Sequence, residues 1–204
     1  GKYFYEIDGK QKAVTIKNIS IGYLNNGNIQ TKIFKTYWIN NRPIMASKNG
    51  TWISLNSYNR SEKSLKQSWL RTKATGFEDF KNIMNFKSNT SNNTVFADYK
   101  GNIAYWHGNF MPIRNQKLNW GNTQDGSKTI NLWQGLHNVK DIVHLYNPSN
   151  GWLQNCNSTP YTAAGKFSPD RKNYANYMAP DGENFRGINA NRLLNKVEKI
   201  VLDG

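Results

Sequence analysis

The sequence predicts an α+β protein in which antiparallel strands dominate and a few helices are interposed. Three observations carry this expectation. Residues 11 to 38 alternate apolar and polar side chains on both sides of Asn25-Asn26-Gly27, the strongest short-range signal for a hairpin turn. Beyond residue 60 the apolar spacing changes from two to that of a helix. At Val95–Trp106 bulky β-formers return on both arms of a second turn, Tyr99-Lys100-Gly101-Asn102.

Taken in order, Val14, Ile16, Ile19 and Ile21 form the outgoing arm of the first hairpin, and Ile29, Ile33, Phe34, Tyr37 and Trp38 the return. Thr51–Leu55 reads as another strand after the turn at Lys48-Asn49-Gly50, which makes residues 1–58 strand-rich. Helices are expected over about 61–86. Leu65, Trp69 and Leu70 make one apolar stripe, and Phe77, Phe80, Ile83 and Met84 a second one, opened by a capping box in which Glu78 follows Thr75 by three residues. The run Ser88 to Thr94 reads as a loop, because Asn, Ser and Thr side chains compete for backbone hydrogen bonds. After the hairpin at 95–106, residues 108–150 read as irregular cover with Pro112 and Pro148. A short strand is expected at 152–157, closed by Pro160, and a final helix over about 186–201 from Ile188, Leu193, Leu194, Val197, Ile200 and Val201.

Composition bounds the function. A chain of 204 residues with 37% hydrophobic and 13% aromatic side chains is long and apolar enough to bury a core. No run approaches the ~18 apolar residues that a membrane span needs, so none is expected. The 27 basic against 13 acidic residues give a net charge of +14, which admits nucleic acid or an acidic polymer as a partner. The lysines, however, are scattered singly at Lys10, Lys12, Lys17, Lys32 and Lys35 rather than in a block, and a nucleic-acid partner is not expected. Cys156 is the only cysteine, and His107, His137 and His144 lack metal-ligand spacing. Neither a disulfide, a metal nor a cofactor is therefore expected. The aromatic residues also admit a β-rich carbohydrate-binding module, which requires exposed, coplanar rings flanked by asparagines.

The order of segments resembles a known family. Asp98-Tyr99-Lys100-Gly101-Asn102-Ile103-Ala104-Tyr105 followed by Pro112-Ile113-Arg114 is similar to the D-x-x-G-N-I-x-Y … P-x-R signature of the penicillin acylases. Asn147-Pro148 through Gly151 to Asn155-Cys156-Asn157 and Pro160 resembles that family's N-P-x-x-G … N-x-N-x-x-P. Arg186 through Ile188 to Arg192-Leu193-Leu194 resembles its final helix. Gln154-Asn155-Cys156-Asn157 with Tyr177-Met178-Ala179-Pro180 looks closer to the acyl-homoserine-lactone and aculeacin acylase branch. Upstream, Thr36-Tyr37-Trp38 to Pro43-Ile44-Met45 resembles that branch's Y-x-x-x-x-G-P-x-x segment, with Arg42 where the branch has Gly.

The resemblance implies part of an αββα N-terminal-nucleophile hydrolase fold and an amidase that cleaves a linear amide of an acylated small molecule. The substrate would be a β-lactam, an acyl-homoserine lactone or a lipopeptide. Such enzymes arise from self-cleaving precursors, and the Ser that opens the β-chain attacks the amide with its own α-amine as base. Gly1 carries no such nucleophile, so the chain is expected to be an internal β-chain fragment, inactive alone. Its partners would be the α-chain and the N-terminal part of the β-chain. The family's usual location is periplasmic or exported. The resemblance places the oxyanion-binding amide on Asn157 and an orienting guanidinium on Arg186. Read without it, Asn157 near Pro160 suits a turn-forming role, and Arg186 a solvated one.

Overall fold

The computed structural model describes residues 2–58, 61–89 and 92–196. The chain forms two compact units, the first comprising residues 1–58 with 125–132, the second residues 59–124 with 133–204. Mixed helices and antiparallel strands make up both together, as the sequence predicts. No helix among the described residues is long and apolar enough to cross a membrane.

In the first unit β1 (Phe4–Ile7) pairs with β2 (Lys10–Ala13) across the Asp8-Gly9 turn. The same Asp8 carboxylate accepts from the amide and the hydroxyl of Thr129, which ties the returning segment to the turn. Four further strands follow in the order β3 (Thr15–Asn25), β4 (Asn28–Ile39), β5 (Arg42–Lys48) and β6 (Thr51–Ser54). The predicted hairpin is β3–β4, in register from Thr15↔Trp38 to Asn25↔Asn28. Asn26 and Gly27 at its tip both take positive φ, 48° and 81°, as a two-residue turn matched to strand twist requires. Ile16, Ile19, Ile29 and Ile33 of this pair remain exposed. The rings of Tyr3, Tyr37 and Trp52 meet at centroid distances of 5.4 and 5.5 Å and pin β6 to β4.

The second unit holds the larger core. Helix α1 (Glu62–Arg71) is capped by the Ser61 hydroxyl, which accepts from the Lys63 amide. Its expected stripe faces solvent: Leu65 and Trp69 are exposed, and the buried side chain is Gln67. The reason is a polar socket. Gln67 Oε1 accepts from the Ser88 amide and hydroxyl and from the Asn89 amide, so the helix face that carries a hydrogen-bond hub is the one that packs. Helix α2 (Phe77–Met84) does bury its predicted face. Its cap differs from the expected box, since Gly76 is the N-cap and Asp79, not Glu78, reaches back to the Thr75 amide at 3.0 Å. Glu78 instead pairs with Lys81.

Strands β7 (Thr94–Ala97), β8 (Ile103–Trp106) and β9 (His144–Tyr146) form an antiparallel sheet with β8 in the centre. The turn between β7 and β8 is held by the Asp98 carboxylate, which accepts from the amides of Lys100 and Asn102 and from the Asn102 side chain. These bonds hold its pKa below the usual carboxylate range. Strand β9 lies inside the stretch expected to be irregular. It is only three residues long, and Asn147 anchors it, accepting from the Ile103 amide and donating to Asn102 Oδ1. Trp106, fully buried, is the hub of a core with Met84, Ala104, Val139 and Ile142.

No strand forms at 152–157. The Gln154 amide donates to Ala163 O, but the Asn157 amide is taken by the Asn155 side chain and Asn157 adopts φ 52°, which breaks an extended ladder. The last helix is α3 (Phe185–Leu194); the expected continuation through Val197, Ile200 and Val201 lies outside the described residues.

Candidate active site

The segment Asn155–Asn157 and the start of α3 are brought together by one side chain. Asn184 caps α3 by accepting from the Gly187 amide at 2.9 Å, while its Nδ2 donates to the carbonyls of Cys156 at 3.0 Å and Asn157 at 3.2 Å. The helix start and the loop are thus latched to one residue. Gly187 brings them closer still, because a Cβ there would lie 2.6 Å from Ser158 Oγ. Only glycine at this first-turn position lets α3 sit against the buried Ser158.

Both residues singled out in the sequence therefore lie on neighbouring elements. Asn157 is exposed at its left-handed position, a conformation Asn tolerates better than most residues. Its backbone is committed to Asn155 and Asn184, and its side-chain amide has no hydrogen-bond partner among the described residues. The turn-forming role and an outward-facing donor thus coexist in one residue. Arg186, the second residue of α3, is exposed and makes no hydrogen bond or ion pair among the described residues.

Asn157 lines an open hollow of about 530 Å³ together with Asn92, Asn93, His107, Asn155 and Asp181. Asn93 bridges its two sides, donating to Asn155 Oδ1 at 3.1 Å and accepting from the Gly108 amide at 3.0 Å. Sequence reasoning missed the hydrogen-bonded chain on its wall. Tyr105 Oη meets His107 Nδ1 at 2.8 Å, and His107 Nε2 meets Asp181 Oδ2 at 2.8 Å. No sequence spacing announces this pairing, since His107 and Asp181 are far apart in the chain and Asp181 sits in a loop without pattern.

Burial is the larger influence on His107 and lowers its pKa, with the Asp181 carboxylate opposing. Burial also raises the Tyr105 hydroxyl far above its ordinary value. A protonated Tyr105 then donates to Nδ1, and a neutral His107 donates its Nε2–H to Asp181, which satisfies every group. The sign of the pH effect follows. A histidine whose folded pKa lies below its ordinary 6.5 contributes stability that is complete above that value and is lost as pH falls toward the folded pKa. Replacing His107 by Gln is expected to flatten the fall in melting temperature between about pH 7 and about pH 5, measured by calorimetry. Parallel curves for the two proteins would refute the assignment.

The arrangement offers hydrogen-bond donors to a developing negative charge. Among the described residues no Ser, Thr or Cys side chain lines the hollow. Cys156 lies between the two asparagines but outside the lining. Of the aromatic residues near these segments, Tyr105 and Trp106 are buried and Trp120, Trp133 and Trp152 are half-buried.

Two comparisons bear on the chain. The family model described as penicillin amidase matches residues 1–203. A solved structure of the thermostable penicillin G acylase from Alcaligenes faecalis superposes with a TM-score of 0.66 and 23% identity, over 86% of this chain and 30% of that one. The fold is thus shared with part of that enzyme, and the chain spans about 30% of its length.

Proposed function

The chain belongs to the penicillin amidase family, and from that premise we propose that it supplies the oxyanion-binding side of an amide-hydrolase site, with Asn157 as the donor. The observation that carries this reading is the uncommitted Asn157 amide at the edge of the hollow, on a loop latched to α3. A neutral donor fixed before the reaction costs no reorganisation when the carbonyl oxygen gains charge, and such a donor is worth roughly 2.7–4 kcal/mol. Arg186, one helical position before the Gly187 contact, orients the amide and the incoming nucleophile. A planar guanidinium with five donors suits holding an amide oxygen.

No hydroxyl side chain is among the hollow's described lining residues, and in this reading the attacking hydroxyl comes from another part of the enzyme, as do the groups that shape the acyl pocket. The remaining α-chain and β-chain segments are then the partners, and the chain by itself does not turn over substrate. The substrate class is a linear amide of an acylated small molecule. Gln154-Asn155-Cys156-Asn157 favours the branch acting on acyl-homoserine lactones and lipopeptides. The test is release of primary amine from N-acyl substrates by the full-length protein and by its Arg186→Gln variant. The reading predicts hydrolysis by the wild type and a fall in kcat of about tenfold or more with KM little changed in the variant. No amine release would remove the proposed activity, and an unaltered kcat would remove the role of Arg186.

A further inference from the structure

Sharing no lining residue with the Asn157 hollow, a cationic recess of about 460 Å³ in the second unit has walls that include Arg114, Lys117, Trp120, Asn176 and Tyr177. The Arg114 guanidinium lies 5.1 Å from the Trp120 ring, 5.5 Å from Trp133 and 6.0 Å from Tyr177, measured from Cζ to the ring centroids. Three rings therefore surround it. The walls are themselves held. Trp120 Nε1 donates to Asn115 O at 2.8 Å, the Tyr177 hydroxyl accepts from the Arg114 amide and bonds His137 Nε2 at 2.7 Å, and Asn176 donates to Gln116 O.

What the guanidinium lacks is an anion. Its Nε is buried with no hydrogen-bond partner, and among the described residues no carboxylate pairs with it. Among the described residues no Asp or Glu lines the recess, and Lys117 adds a second positive charge. Burial lowers the Arg114 pKa, with the Tyr177 hydroxyl opposing. A half-buried guanidinium that is flanked by rings and has no counter-ion among the described residues is matched by a flat monoanion, which a fork of N–H donors binds in two places.

We propose that this recess binds a small planar carboxylate from solution, its charge on Arg114 and its apolar body against Trp120. The Trp120 face and the single guanidinium suit a carboxylate with a ring or alkyl body. Lys117 contributes charge at the recess rather than a second fork.

Isothermal titration of the full-length protein with sodium benzoate, with benzamide as the neutral isostere, tests the site. Saturable heat is expected with benzoate and none with benzamide. Arg114→Met is expected to abolish the signal, and Arg114→Lys, which keeps the charge but not the fork, to weaken affinity by about tenfold. Should the Met variant not fold, the Lys variant carries the comparison. Three results overturn the proposal: no saturable benzoate binding, equal binding of benzamide, or benzoate binding unchanged by Arg114→Lys. A crystal structure with a carboxylate of the protein itself seated on Arg114 overturns it too, since the ligand would then be internal rather than free.

Discussion

Replacing Asn157 by Gly in the full-length enzyme is expected to lower kcat for amide hydrolysis by about 10²–10³-fold while leaving KM nearly unchanged. Glycine is the informative substitution because Asn157 sits at φ 52°, where an alanine would add backbone strain to the loss of the amide. The backbone bonds that place the loop, Asn157 N to Asn155 and Asn157 O to Asn184, persist in the glycine variant. Only the side-chain donor disappears. A kcat loss with normal stability therefore isolates the donor, whereas a rise in KM with kcat preserved would mean that Asn157 holds substrate without favouring the transition state. Asn157→Asp provides a second check. It keeps the shape of the side chain but presents a carboxylate to a developing oxyanion, so its kcat is expected to fall at least as far.

The second large effect is structural. Truncating Trp106 to Ala is expected to cost about 3–5 kcal/mol of unfolding free energy, read from denaturant titration. Trp106 is fully buried, its ring lies 5.7 Å from Phe80 and 5.3 Å from Tyr146, and its indole N–H donates to Tyr146 Oη at 2.9 Å. The variant loses packing on α2, β8 and β9 at once and leaves the Tyr146 hydroxyl without its donor. Trp106→Phe, which retains an aromatic ring, is expected to cost less. Because β8 continues directly into His107, the loss at Trp106 is also expected to loosen the Tyr105–His107–Asp181 chain on the hollow's wall. A stability loss below about 1 kcal/mol for the Ala variant would show that the cavity collapses or that this core is not cooperative with the rest.

The parts of the fold that were legible are those in which local chemistry and tertiary packing agree. Asn26-Gly27 announces β3–β4 because that turn needs two positive φ values, and Phe77, Phe80, Ile83 and Met84 announce α2 because their spacing makes the face that meets Trp106. Where the two disagree, reading by pattern failed. Leu65 and Trp69 look like a buried stripe, yet the packed residue of α1 is Gln67, whose worth lies in three hydrogen bonds to a loop 21 and 22 residues away. Strand β2 escaped notice because Lys10-Gln11-Lys12 has no apolar face. Strand β9 escaped because it is set by Asn147 and Asn102, two side chains separated by 45 positions.

The site divides in the same way. Asn157 and Arg186 were reachable from the resemblance of ordered segments, and the structure sets them on elements joined by Asn184 and by the glycine at 187. Asn184 itself carries no motif, and its role emerges only when a helix cap and two loop carbonyls are seen to share one amide. The His107–Asp181 pair, 74 residues apart, was likewise invisible, because a histidine taken alone is as consistent with a surface position as with a wall of the hollow. The net charge of +14 found no concentrated expression at the hollow, whose described lining holds one histidine and one aspartate among asparagines.

The central claim is that Asn157 binds the oxyanion, and the most direct test is a crystal structure of the full-length enzyme carrying a tetrahedral boronate adduct. The account predicts Asn157 Nδ2 within about 3.1 Å of the adduct's oxyanion, with the hollow at Asn155 and His107 beside it. An adduct oxygen held by other donors, with the Asn157 amide more than about 5 Å away and turned to solvent, would contradict it.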